Sequence, residues 1–242
     1  MPYREIFFEK YQPVHIVSRA VEEREIFKVI EDCYRFIFQI YAANVGKPAR
    51  NLRVEDVIKT AKAILEGEKI SPRFITTEHP PFVSILDFSL VINHYHFYFF
   101  PNAENIIPLF MKKLNGGFAK YLNLKYSRKG ALIGGRYKSI LIKSQFQGDA
   151  VSRYVSIINP LDVYQPNWRK DGLKNEKEAL RFLEEYPFSS FPDKIGKRKS
   201  KILAPKEILK RYSFISSSQN KEVYLNFIKE FLKQSSLPFF LE

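Results

Sequence analysis

The 242-residue sequence predicts an α+β protein, and three observations carry that reading. Stretches rich in β-branched and aromatic residues, at 11–20, 82–91, 93–100 and 131–143, have the composition of strands. Between them, 28–43, 54–66 and 105–125 repeat apolar residues at helical spacing. With 45% apolar residues the chain has ample material for a core, and no repeat of 20–50 residues divides it.

In 11–20, alternation places His15, Val17 and Arg19 on one face. The helix at 28–43 carries Ile30, Cys33, Tyr34, Ile37, Phe38 and Tyr41 as its apolar stripe. Cys33 is the only cysteine, so no internal disulfide exists; its place in the stripe makes it a buried, inert thiol and suits a reducing, cytoplasmic setting. After a break at 44–48, a shorter amphipathic helix ends at Gly67, and a link through Ser71-Pro72 and His79-Pro80-Pro81 leads to the strand pair. On the second of these strands His94, His96 and Tyr98 project together, while Tyr95, Phe97 and Phe99 point into core. Two imidazoles on one face make half of a metal site, and equally describe two satisfied histidines on a half-buried strand.

The helix at 105–125 is interrupted by Gly116-Gly117, a sign of close packing on a sheet or a ligand. A turn at 127–130 then leads into a further strand or hairpin at 131–143, where Arg136 and Lys138 share a face with Ile140 and Ile142. A short helix starts at Gly148-Asp149, with Asp149 as its N-cap, carries Val151, Tyr154, Val155 and Ile158 on one face, and ends at Asn159-Pro160. Tyr154 therefore faces the body of the protein. Past Gln165-Pro166 the composition changes: a charged helix at 174–186, a basic run at 194–201, and helical segments at 205–212 and 220–234. We place a boundary there, giving a domain over 1–165 and a small basic helical extension over 166–242.

A net charge of +13 points to a polyanionic partner, most simply nucleic acid. Arg128, Lys129, Arg136 and Lys138, with Tyr126 and Tyr137 among them, supply cations for phosphate and aromatics for stacking, and Lys197, Arg198 and Lys199 are a secondary set. No stretch is long and apolar enough to cross a bilayer, and the N-terminus lacks a basic-then-apolar signal pattern, so the sequence predicts a cytoplasmic protein without membrane contact.

Four motifs stand in order along 11–165: His15-Ile16-Val17-Ser18-Arg19, Asn93-His94-Tyr95-His96, Gly135-Arg136-Tyr137-Lys138-Ser139, and Arg153-Tyr154-Val155 followed by Asn159-Pro160. In this order they resemble the single-tyrosine HUH transposases, the REP-associated tyrosine transposases and their insertion-sequence relatives. The resemblance implies an antiparallel sheet with helices packed on it, in the ferredoxin-like or RNA-recognition-motif style. It implies a reaction on single-stranded DNA beside a hairpin, with magnesium or manganese on His94 and His96. Tyr154 would attack phosphorus, leaving a 5′-phosphotyrosine and a free 3′-OH. Apart from the resemblance, we read His15 as structural or as a support for the ligands rather than as a ligand itself. The family contains enzymes whose tyrosine serves its own chain's histidines and enzymes whose tyrosine serves a homodimer partner's; both arrangements stay open.

The chain departs from the family pattern twice. Ile92 stands where relatives have proline. Ile158 stands four residues after Tyr154, where relatives place a Gln or Asn that completes the metal site. Asn159 is one residue further, about 140° around an α-helix from Tyr154, and becomes a third ligand if the helix ends before Pro160 in time to swing it inward; otherwise the third ligand comes from elsewhere or cleavage is impaired. The leading expectation is a DNA nicking and joining enzyme. The alternatives are a non-cleaving hairpin or single-stranded DNA-binding descendant, and a metal-dependent nuclease that uses water.

Overall fold

The computed structural model describes residues 7–134 and 136–212, with position 226 besides. Gly135 of the third motif and, apart from position 226, the helix expected over 220–234 lie outside the described residues. In chain order the elements are β1 (Val14–Arg19), α1 (Ile30–Val45), β2 (Gly46–Pro48), α2 (Val54–Glu66), β3 (Ile75–Thr77), β4 (Val83–Val91), β5 (His94–Pro101), α3 (Ile107–Lys125), β6 (Lys138–Leu141), α4 (Gln145–Arg153), a π turn (Tyr154–Ile158), α5 (Asn159–Tyr164), α6 (Trp168–Asp171), α7 (Glu176–Glu185), α8 (Phe191–Lys194) and α9 (Lys206–Tyr212).

Four strands form one antiparallel sheet in the order β4-β5-β1-β6, as the α+β expectation required, and β2 with β3 forms a separate ribbon. The pleat sorts the sheet's side chains into two cores. Val14, Ile16, Phe88, Leu90, Tyr95, Phe97 and Phe99 pack with Phe36, Phe110 and Phe118 of α1 and α3. Tyr98 and Phe100 on the opposite face meet Val151, Tyr154, Val155 and Ile158. A bulge between Ile85 and Asp87 turns Leu86 into that second core as well.

α3 runs without interruption through Gly116-Gly117. The close packing expected there is against α1 rather than the sheet, because a Cβ on Gly117 would sit 2.3 Å from Gln39 Nε2. The strand or hairpin expected over 131–143 is confined to a strand at 138–141; before it, among the described residues, Ile133 bridges back to Ala20, with Val21 N–H donating to the Leu132 carbonyl and Gly134 N–H to the Arg19 carbonyl.

Beyond residue 166 the chain returns to the sheet. Leu183, Phe191 and Ile195 belong to the second core, Leu203 bridges to Ile85, and Ser189 bridges to Ser89. A buried ion pair ties this segment down: Lys194 Nζ lies 2.9 Å from Asp87 Oδ1, while the hydroxyls of Ser190 and Ser152 donate to the same carboxylate, each at 2.7 Å. Strand β4, helix α4 and the extension are thus pinned at one point. Among the described residues no helix is long and apolar enough to cross a membrane.

Candidate active site

Register decides what faces the tyrosine helix. Opposite residues of antiparallel strands share a face, so His96 stands in one row with Ser89 on β4, Val17 on β1 and Lys138 on β6. His94 pairs with Arg19 and Val91 in the next row. His15 and His96 are fully buried, and their rings stack at 5.4 Å between centroids with Nε2 of His15 3.1 Å from Nδ1 of His96. His94, half-buried, turns Nδ1 to the side-chain oxygen of Asn93.

Tyr154 meets both buried imidazoles edge-on, at 5.5 Å from His96 and 5.9 Å from His15. It is carried by a continuous helical segment from Gln145 to Tyr164. The cap is Ser144, which accepts from the Gln147 N–H at 3.2 Å; Asp149, expected there, lies inside α4 and accepts from Gln145.

The helix does not end before Pro160. It widens into the π turn, in which the Asn159 N–H donates to the Tyr154 carbonyl. Bonding from i to i+5 makes the fifth residue, not the fourth, one turn away. Asn159 is therefore brought back to the side of Tyr154 by a wider turn instead of an early helix end. Proline favours the same solution, since it lacks an N–H and its ring clashes with the carbonyl one α-turn behind. Ile158 is buried in the second core.

One residue of this cluster was not anticipated. Arg169, on the four-residue helix α6, places its guanidinium 5.4 Å from the Tyr154 ring centre and hydrogen-bonds the Tyr154 hydroxyl. It also donates to Asn159 Oδ1 at 3.4 Å and pairs with Asp162, which is fixed in turn by Trp168 Nε1 at 2.9 Å. The only sequence signal is the Asp162–Arg169 pair flanking the end of α5, and it lies across the boundary drawn at 166. Tyr154 is fully buried beneath this cover.

Burial governs the electrostatics. Desolvation lowers His15 to about 4 and His94 to about 3; His96 is held well below the usual imidazole range by the same cause. The positive charges of Arg19 and Arg169 add to the effect on His94 and His96. All three rings are neutral at pH 7, the form that offers a lone pair to a metal.

A pH dependence follows. A histidine whose folded pKa is depressed contributes stability in full above about 6.5, and loses it as pH falls toward the folded value. In chelator, stability measured by urea unfolding is expected to drop between pH 7 and pH 5, by about 2 kcal/mol for His15 alone. Equal stability at the two pH values would show that His15 is not neutral because of burial.

Three buried side-chain nitrogens in this cluster have no hydrogen-bond partner: His15 Nδ1, His96 Nε2 and Asn159 Nδ2. If His96 Nδ1 carries the proton shared with His15, His96 Nε2 is a bare lone pair. Of the three unpaired nitrogens only that one can accept a metal; with His94, and with the Asn159 oxygen once Arg169 leaves it, it would suit a divalent cation whose remaining positions are taken by water and phosphate oxygens. Among the described residues no group of three or more His, Cys, Asp or Glu side chains is placed to hold a metal ion, so the donors here are two imidazoles and an amide.

The basic residues separate into groups. Lys138 is exposed on edge strand β6 in the His96 row, and Arg136 is exposed just before it. Lys129 is exposed in the turn after α3, and Arg128 is half-buried beside it. The run 197–199 differs from expectation. Arg198 is buried, pairs with Asp193 at 2.6 Å and donates to the carbonyls of Pro187 and Ser189, so it clamps the extension and is not a free phosphate contact. Lys197 pairs with Glu184 at 3.0 Å, and Lys199 is exposed.

No protein-family model matches the chain, and no curated protein does. Among solved structures, it is similar to one described as the REP-associated tyrosine transposase bound to a REP hairpin, with 13% identity, a TM-score of 0.46, and coverage of 85% of this chain and 92% of that one.

Proposed function

We propose that this protein nicks and rejoins single-stranded DNA beside a hairpin, with Tyr154 as the nucleophile. The observation that carries the reading is the cluster itself. A phenol, three neutral imidazoles and an amide are gathered under one guanidinium, with three buried nitrogens unpaired. Unpaired buried polar groups cost about 1–3 kcal/mol each, so a purely structural core has reason to avoid them.

In the proposed step the Tyr154 oxygen forms a bond to phosphorus and the bond from phosphorus to the 3′-oxygen breaks. The phenol loses its proton and the 3′-oxygen leaves as a hydroxyl. The 5′-phosphate stays on the tyrosine, and the reverse reaction joins it to another 3′-OH. His94, His96 and Asn159 would hold a metal ion, and two imidazoles without a carboxylate favour manganese over the harder magnesium. When bound, the ion supplies charge stabilisation on the phosphoryl oxygens. His15 orients His96 through the shared proton. Arg169 positions the phenol oxygen and carries charge for the incoming phosphate, after releasing Asn159. Lys138, in the His96 row at the edge of that face, and exposed Arg136 just before it are suited to the DNA backbone.

The complete burial of Tyr154 favours a second reading, a hairpin or single-stranded DNA-binding protein that no longer cuts. Labelled hairpins from the flanks of the gene, incubated with manganese or with chelator and run on a denaturing gel, separate the two. A manganese-dependent, protease-sensitive DNA–protein band is the expected result. Intact DNA that shifts only on a native gel would overturn the cleavage reading and leave the binding one; free cut DNA without an adduct would assign the attack to water.

A further inference from the structure

A pocket of about 340 Å³ opens away from the tyrosine, on the α1 and α3 side of the sheet. Its cations are Arg24, Lys28 and Arg128, opposed by one acid, Glu25, and its apolar lining is Leu122, Tyr126 and Leu132. The volume is within the range of small-molecule sites and is suited to a single nucleotide.

The walls are held in place. Tyr126 donates to the buried Asp32 at 2.6 Å, and that carboxylate also accepts from Tyr121 at 2.8 Å and pairs with Lys125 at 2.6 Å. Asp32 is thereby compensated, and Arg24 is shared with Glu22, its ion-pair partner, so the field in the pocket is carried chiefly by Lys28 and Arg128 against Glu25. Lys28 Nζ stands 4.9 Å from the Tyr126 ring centre. The turn bearing Arg128 is pinned to α3 twice: the Arg128 N–H donates to the Asn123 carbonyl at 2.8 Å, and Asn123 Nδ2 to the Gly130 carbonyl at 2.9 Å.

Position connects the pocket to the histidines. The N–H groups of Ile26 and Phe27 both donate to the Ile92 carbonyl, at 3.0 and 3.1 Å, and Ala20 N–H donates to the Asn93 carbonyl at 2.9 Å. The segment carrying Arg24 and Lys28 is therefore strapped to the β4–β5 turn that leads directly into His94. Cations beside an apolar and aromatic floor match a nucleotide, with phosphate on the first and base against the second.

We propose that this pocket binds one unpaired nucleotide of the DNA strand, with its phosphate on Arg24, Lys28 and Arg128 and its base against Leu122, Tyr126 and Leu132. The assignment rests on the DNA reading above for the identity of the polymer, and is independent of cleavage.

The test is the binding of a fluorescent single-stranded oligonucleotide to the full chain across a salt series, for the wild type, Lys28→Gln and Arg128→Gln. Both substitutions are on partly exposed, charged side chains and leave the core intact. Each variant is expected to bind about tenfold more weakly and to lower the salt slope by about 0.7, the value for one phosphate contact on a single strand. Oligonucleotides with one abasic position, moved along the strand, are expected to reveal one position where wild-type binding falls at least severalfold. Unchanged slopes in both variants would overturn the pocket, even in a protein that forms the Tyr154 adduct. Indifference to every abasic position would overturn the base part of the assignment. Binding that responds as expected without any adduct would uphold the pocket while removing the nicking reaction, and a wild type that binds no DNA would remove both.

Discussion

Tyr154→Phe is expected to abolish covalent capture of DNA, a loss of more than about a thousandfold, while hairpin binding stays within about twofold of wild type. The substitution keeps the ring, and with it the edge-on contacts to His15 and His96 and the guanidinium of Arg169 near its face. Only the hydroxyl is lost. Arg169 retains Asp162, so the cost in stability is about 1 kcal/mol, a shift in melting temperature of about 2–4 °C for a chain of this size. Adduct formation undiminished in the phenylalanine variant would place the nucleophile elsewhere. Cleavage that persists without an adduct would make the enzyme a nuclease and Tyr154 part of its frame.

Asp87→Ala is expected to have the largest effect on stability, about 3–5 kcal/mol. Its carboxylate is almost completely buried, pairs with Lys194, whose side chain is 7% exposed, and accepts from the Ser152 and Ser190 hydroxyls. Removing it leaves an ammonium in the interior with no counter-charge, and two hydroxyls without their acceptor. Breaking one side of a buried pair is costly for that reason, whereas replacing both sides by apolar groups is often close to neutral. Asp87→Leu combined with Lys194→Met should therefore recover most of the loss, measurable by urea unfolding of the two single variants and the double. A double variant no more stable than Asp87→Ala would show that the network contributes through packing rather than charge. Ser152 lies two residues before Tyr154, so the same point of attachment holds the tyrosine helix to the sheet.

Much of this arrangement was legible in the sequence, and the exceptions have physical causes. Period-two alternation alone placed His94 and His96 on one face and Tyr95, Phe97 and Phe99 on the other, because a strand buried on both sides leaves no freedom of register. Helix α2 was readable to the residue from its periodicity and Gly67. The position of Asn159 was not, because an α-helix advances about 100° per residue and the π turn changes that increment locally. Arg169 was missed because it meets Asn159 and Asp162 only through a tertiary fold-back, and the local composition there suggests an appendage. Arg198 misled for the converse reason. Three consecutive basic residues look solvated in one dimension, yet Asp193 and two carbonyls close around the middle one.

The burial of Tyr154 has a consequence for how tightly a substrate would be held in the proposed reaction. A phenol with no exposed surface is reached only from an open form that the native ensemble visits part of the time. Were that form populated once in about a hundred molecules, the apparent affinity of a scissile strand for the reactive arrangement would be weakened about a hundredfold, roughly 2.8 kcal/mol. Strand held on the outer basic surface escapes that penalty. Docking and commitment would then obey separate equilibria, and the strength of the first would not forecast the rate of the second.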